Sequence, residues 1–250
     1  MLQFFSASTS IVNSKRAITE CLENALEGQG SLDCDLIIIY TAMGHNFKDL
    51  LSEAHKISPG AQIVGCTCGG IIGKNGPDES MKALAIMAVK GPKNEFALVH
   101  RNTGDGIDIF KVAAEMAGEL KNMNPGINMI HFLPSFLEWK PFDKAIKGIE
   151  SIFSPAVPIF GGVAIDNFKA VNCFHFYDDQ VFERGAVMIG YSDSTLKYLS
   201  QSNHGFGVIE GMSLEITRCS SNIIYEFDGK PAWIKLTETL GIPETAYFLE

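Results

Sequence analysis

Apolar positions along the first ninety residues alternate between two spacings. Residues 2–8 read as a strand. From Ser14 onward Ala17, Ile18, Cys21, Leu22, Ala25 and Leu26 recur at helical spacing, and Gly28 and Gly30 end that run. Leu36-Ile37-Ile38-Ile39-Tyr40 is continuously apolar, as in a strand buried on both faces. Residues 46–57 predict a second helix, with Leu50, Leu51 and Ala54 on one face and Pro59-Gly60 ending it. Ile63-Val64-Gly65-Cys66-Thr67-Cys68-Gly69-Gly70 then runs from apolar residues into a patch without bulky side chains. That pattern reads as a buried strand entering a glycine-rich turn. A loop holding Gly73, Asn75-Gly76 and Pro77 leads to a strand over 83–89.

The order then repeats. Strands are predicted over 96–100, 129–133, 157–162, 173–177 and 186–191. Helices are predicted over 109–123, with Val112, Ala113, Met116 and Leu120 on one face, and over 142–153, with Ile146, Ile149 and Ile152 inward. Ser58-Pro59 and Ile63-x-Gly65 match Ser154-Pro155 and Ile159-x-Gly161 at one constant offset. The fold class that follows is α/β: two internally duplicated βαβαβ-type units, 1–90 and 95–192, with mixed sheets and a pseudo-twofold axis. The first three strands of each unit should run parallel and the later ones antiparallel. This places the two glycine turns in comparable positions, with a cleft between them. Glycine there permits positive φ and lets a second backbone or a ligand approach closely.

Past Tyr191 the pattern changes. A strand over 196–201 should lead into Asn203-His204-Gly205, followed by strands over 214–217 and 223–227, an Asp228-Gly229 turn, and a helix from Pro231 to Leu240. Residues 1–212 therefore read as one domain and 213–250 as the opening of another, cut short.

Composition narrows the function. The chain has 250 residues, 46% of them hydrophobic, and a net charge of −9. Without a Lys/Arg cluster it is a poor match to a phosphate backbone, which sets nucleic acid aside as a partner. No apolar run is long enough to span a bilayer, and Met1-Leu2-Gln3-Phe4-Phe5 lacks the basic start and apolar core of a signal peptide. Cysteines at 21, 34, 66, 68, 173 and 219 lie in apolar segments, as free thiols do in a reducing compartment, so we expect a cytoplasmic protein. Cys66-x-Cys68 lacks the two further ligands that tetrahedral zinc requires, so no metal is expected. The glycine turns carry no GK[ST] pattern, Lys74 comes too late to supply one, and no cofactor is expected.

Several motifs together resemble the FIST domain family (F-box and intracellular signal transduction). Gly65-Cys66-Thr67-Cys68-Gly69-Gly70 resembles the family's GCSTAGE stretch, Gly161-Gly162-Val163-Ala164-Ile165-Asp166 its GGxAGD, and Asn203-His204-Gly205 its SHG. The segment from Thr217-Arg218 through Asn222-Ile223-Ile224-Tyr225-Glu226-Phe227-Asp228-Gly229-Lys230-Pro231-Ala232 is similar to the start of the family's C-terminal half. Two positions depart: Ile71 stands near where the first motif carries an acid, and Ile165 replaces a glycine of the second. The resemblance implies a FIST N-terminal ligand-sensing domain over 1–212 and the start of a FIST C-terminal domain over 213–250. It further implies a sensory module of bacterial signal transduction that binds small molecules such as amino acids, coupled to an output domain or partner protein. A homodimer is compatible with this.

The candidate ligand-binding residues are Gly65, Cys66, Cys68, Gly69, Gly161, Gly162, Asp166, His204 and Arg218. Asp166 suits a ligand ammonium, or equally a turn. His204 suits a ligand carboxylate, or a backbone partner. Arg218, in an apolar strand, demands a carboxylate from the protein or from a ligand. His131 and His175 read as core or lining residues. Two other functions compete with the sensor. A hydrolase or transferase built on Cys66 would need a histidine within reach of its sulfur. An interaction module would expose an apolar patch around Phe136, Leu137 and Trp139, a stretch that also suits a lid.

Overall fold

The uninterrupted apolar run at Leu36–Thr41 becomes an inner strand of a sheet covered on both faces. The computed structural model describes residues 1–167, 169–199 and 207–245. Its first sheet is built from β1 (Gln3–Thr9), β2 (Leu36–Thr41), β3 (Gln62–Thr67) and a later strand, with α1 (Ser14–Ala25) and α2 (Phe47–Ile57) between them. The glycine-containing stretch read as a loop forms a short hairpin instead, β4 (Ile71–Gly73) and β5 (Gly76–Asp78), paired through Gly73 and Gly76. β6 (Leu84–Lys90) then enters between β1 and β2, antiparallel to both. β1, β2 and β3 thus point the same way, as expected, but only β2 and β3 are hydrogen-bonded neighbours.

The next stretch repeats the plan. A 3₁₀ turn at Lys93–Glu95 leads into β7 (Phe96–Asn102), followed by α3 (Ile109–Met123), β8 (Met129–Pro134), α4 (Phe142–Phe153) and β9 (Ile159–Gly161). The hairpin β10 (Phe174–Tyr177) and β11 (Gln180–Glu183) comes next, then β12 (Gly185–Tyr191). The first sheet has the order β1-β6-β2-β3 and the second β7-β12-β8-β9, with matching parallel and antiparallel pairs. The β10–β11 hairpin crosses to the first sheet and extends it beyond β3.

Burial shows the layering. Ile37, Ile39 and Ile63 pack under α1 and α2 with Ile18, Leu22, Leu50 and Leu51. Ile130, Phe132 and Met188 pack under α3 and α4 with Met116, Leu120 and Ile149. Between the sheets, Leu36, Ile38 and Val64 meet Leu98, Leu133, Val187 and Ile189. Successive residues of β2 face opposite sides, and both sides are dry, which is why its sequence shows no alternation. Each such side chain contributes about 1.5–3 kcal/mol on burial. The result is a helix–sheet–sheet–helix sandwich.

Asn13, Asn46 and Asp108 cap α1, α2 and α3, each accepting a backbone N–H through its side chain. Such a cap contributes about 1 kcal/mol. α4 starts after Pro141 with no side-chain cap.

The chain divides into two compact units, Met1–Tyr198 and Leu199–Glu250. The strand expected over 196–201 is absent from residues 196–199, and its remainder lies outside the described residues. In the second unit β13 (Ile216–Ser220), β14 (Ile223–Phe227) and β15 (Lys230–Pro231) form a small antiparallel sheet beside α5 (Ala232–Leu240), which Gly241 ends in the left-handed conformation.

Candidate functional site

Gly65 and Gly161 hold matching places. Gly65 lies opposite Ile39 in the parallel β2–β3 pair, and Gly161 lies opposite Phe132 in the parallel β8–β9 pair. Their φ angles are +154° and +144°, and a Cβ on either would stand 2.0 Å from the carbonyl oxygen of Ile39 or Phe132. Only a residue without a side chain fits at these points.

Their outer edges differ. In β3 the edge away from β2 is filled by β10: Gly65 pairs with Phe176 and Cys66 with His175, and the Asp178 N–H donates to the Ile63 carbonyl. β9 is the last strand of its sheet. Pro158 accepts from the Ile130 N–H, so along β9 the backbone groups of Pro158 and Phe160 face β8, and those of Ile159 and Gly161 face outward. Among the described residues no strand pairs with that edge.

Beside this free edge lies a cavity of about 270 Å³, lined by Phe132, Pro134, Phe142, Ile146, Ile159, Phe160, Gly161, Gly162 and Val163. β8 and β9 supply its floor at their carboxyl ends, and the first two turns of α4 supply one wall. Ligands of open α/β sheets bind at such ends. Gly161 and Gly162 are exposed at its mouth. No heavy atom stands within 4 Å of a Cβ built on Gly162, so this glycine leaves open space. Sequence reasoning singled out Gly161 and Gly162 and missed the other walls. Phe142 and Ile146 carry the same apolar helical spacing as core residues, which hides a lining role.

The remaining candidates are placed elsewhere. Gly65, Cys66 and Gly69 are buried under β10 and the second glycine loop, whose Ile165 N–H donates to the Thr67 carbonyl. The loop therefore closes over the first turn where an open cleft was expected. Asp166 is 4% exposed and does not line the cavity. Its carboxylate accepts the N–H groups of Ala170 at 2.5 Å and of Val171 and Asn172 at 2.8 Å. Burial pushes its pKa up, but these N–H groups outweigh that and hold it below the usual carboxylate range. Its geometry is that of a loop-organising turn residue.

Cys66 is fully buried, and burial, then the neighbouring Cys68 and Cys173, pushes its thiol up, away from the thiolate a nucleophile needs. Burial also pushes Cys68 up, to about 11, with a backbone hydrogen bond to Gly70 opposing. The residue across from Cys66 is a histidine, but His175 is stacked on Phe182 and makes no hydrogen bond of normal geometry. Burial pulls it down to about 3, opposed by the Leu133 carbonyl, so the imidazole stays neutral. His131 does line the interior between the sheets. Its Nε2 meets the Tyr40 hydroxyl at 2.8 Å, linking β8 to β2, and its ring stacks on Phe160 at 4.4 Å. Burial alone lowers it to about 4.

Trp139 is neither a lid nor part of an exposed patch: it is fully buried, edge-on to Phe132 at 5.4 Å, and Phe136 and Leu137 are half-buried. Cys219 is exposed, unlike the buried thiol its strand suggested. Arg218, in the second unit, is exposed rather than buried. Its Nε and Nη2 both lie 2.9 Å from Oε1 of Glu226, with the guanidinium over Tyr225. The carboxylate it required comes from its own hairpin. His204 lies outside the described residues. Among the described residues no cluster of His, Cys, Asp or Glu suits a metal ion, and no helix is long and apolar enough to cross a membrane.

Residues 35–230 match the FIST N domain model, and the chain belongs to the FIST family. FIST domains are sensory modules of signal transduction. No curated protein matches the chain. Among solved structures, a cyanuric acid hydrolase from A. caulinodans is similar at 8% identity and a TM-score of 0.36, over 78% of this chain and 68% of that one.

Proposed function

We propose that this chain is the ligand-sensing part of a cytoplasmic bacterial signalling protein, and that it binds a metabolite of about amino-acid size in the cavity at Gly161 and Gly162. The carrying observation is the coincidence of that 270 Å³ cavity with a strand edge whose counterpart in the other sheet is filled by β10. Apolar walls supply binding energy and the outward backbone groups of Ile159 and Gly161 supply orientation, the division of labour usual in small-molecule sites. The ligand would rest against Phe160, whose ring stacks on His131, which in turn reaches Tyr40 in the other sheet. Binding would thereby bias how the two sheets meet, and an output domain or partner protein would read that bias.

A thermal-shift screen of metabolites, run in parallel on wild type and Gly162→Leu, tests the proposal. A ligand at a hundred times its Kd stabilises by about 2.7 kcal/mol. The expected result is a compound that raises the melting temperature of wild type and leaves Gly162→Leu unmoved, because the leucine occupies the open space at the mouth. Equal shifts in both proteins would place the site elsewhere.

A further inference from the structure

We infer that the ligand of this cavity is an uncharged molecule, with an apolar ring or branched body and a carboxamide-like group. The inference rests on the binding site proposed above. Two features carry it, the walls and the edge.

The nine lining residues are aliphatic, aromatic, proline or glycine, and none is ionisable. A carboxylate or ammonium entering them would give up its hydration without meeting a counter-charge, a far larger cost than burying a neutral group that keeps its hydrogen bonds. The acids near the lining in sequence give no relief: Asp143, next to Phe142, is exposed, faces Lys147 at 3.7 Å and does not line the cavity. Asp166 has both oxygens committed to the N–H groups of residues 170–172 and lies outside the lining.

The edge selects a hydrogen-bonding pattern. Gly161 presents one N–H donor and one C=O acceptor along the side of β9 that no strand among the described residues pairs with. A primary amide, lactam or urea carries a donor and an acceptor side by side and satisfies both. A carboxylate offers only acceptors and an ammonium only donors, so each leaves one backbone group unmatched. Size agrees, since an apolar cavity of about 150 Å³ accepts benzene, and this one has room for a ring with a short arm.

Three benzyl probes make the test, the isosteric pair phenylacetamide and phenylacetate and the zwitterion phenylalanine, titrated into the isotope-labelled chain while the amide signals of Gly161 and Gly162 are followed. The expected result is that phenylacetamide shifts both signals and binds at least about tenfold more tightly than either charged probe, a difference of about 1.4 kcal/mol or more. Phenylacetate or phenylalanine binding there as tightly as the amide would overturn the inference and leave the site standing. If all three fail while a charged metabolite shifts those signals, the inference is likewise overturned. If no compound from the metabolite screen shifts them, the site itself is wrong and the inference falls with it.

Discussion

Gly65 and Gly161 stand in the same relation to the strand beside them, yet Gly65 is paired on its far side with Phe176 and Gly161 lies on an edge that no strand among the described residues pairs with. One backbone requirement is thus met twice, with two outcomes. Where β10 fills the edge, the glycine is paired on both sides. Where the edge is open, the same geometry lies beside a cavity.

Substitution separates the two demands on glycine. Gly65→Ala and Gly161→Ala should each destabilise by at least about 3 kcal/mol, since each combines an unfavourable φ with a Cβ driven against a neighbouring carbonyl. Gly162→Ala, with nothing within 4 Å, should stay within about 0.5 kcal/mol of wild type. Urea denaturation of the three variants measures this, and a mild effect at Gly161 would remove the equivalence.

Asp166→Ala should destabilise by about 2 kcal/mol, because it strips a carboxylate from three backbone donors. Affinity for the cavity ligand should change far less. Calorimetry on wild type and variant compares the two effects. A large loss of affinity with unchanged stability would restore Asp166 as a ligand partner.

Asp193 should shape the acid limb of stability. The Thr195 hydroxyl, then the N–H groups of Leu2 and Thr195, hold its carboxyl down to about 2, with burial opposing. An unfolded aspartate titrates near about 3.9, so the ionised group stabilises the fold fully above that pH, and the contribution fades as pH falls toward about 2. The stability gap between wild type and Asp193→Asn should be constant from pH 5 to 7 and shrink toward about pH 2. A gap that widens on acidification would contradict the sign.

Tyr40→Phe should cost about 1–2 kcal/mol, since it leaves His131 without a hydrogen bond at either ring nitrogen. If the Tyr40–His131 contact also carries the ligand signal between sheets, the variant should bind normally and fail to transmit. Hydrogen exchange in β2, with and without ligand, reads that directly: an unchanged response in β2 would exclude this route.

Much of the scaffold was legible. Continuous apolar runs gave β2 and β3, and helical spacing gave α3 and α4 with their observed bounds, because both patterns follow from which faces are dry. Strand order was not legible. That β6 enters between β1 and β2, and that β10 leaves its own half to extend the other sheet, depend on long-range pairing that no local period encodes. The candidate site was half legible. Glycines show their backbone requirement in the sequence, and Gly161 and Gly162 do border the cavity. Asp166 finds backbone partners five residues on and Arg218 a carboxylate eight residues on, contacts that spacing alone does not reveal. Ile146 reads as a core position, and neither it nor Phe142 shows a lining role in sequence, because a cavity wall and a core face share one apolar pattern.

The most direct test of the account is an amide chemical-shift map with a ligand identified by the thermal screen. The predicted result is a set of shifts centred on Gly161, Gly162 and Val163, extending to Phe142 and Ile146, with Gly65 and Cys66 nearly still. Shifts centred on Gly65, Cys66 and Gly69, with the β9 edge unmoved, would contradict it.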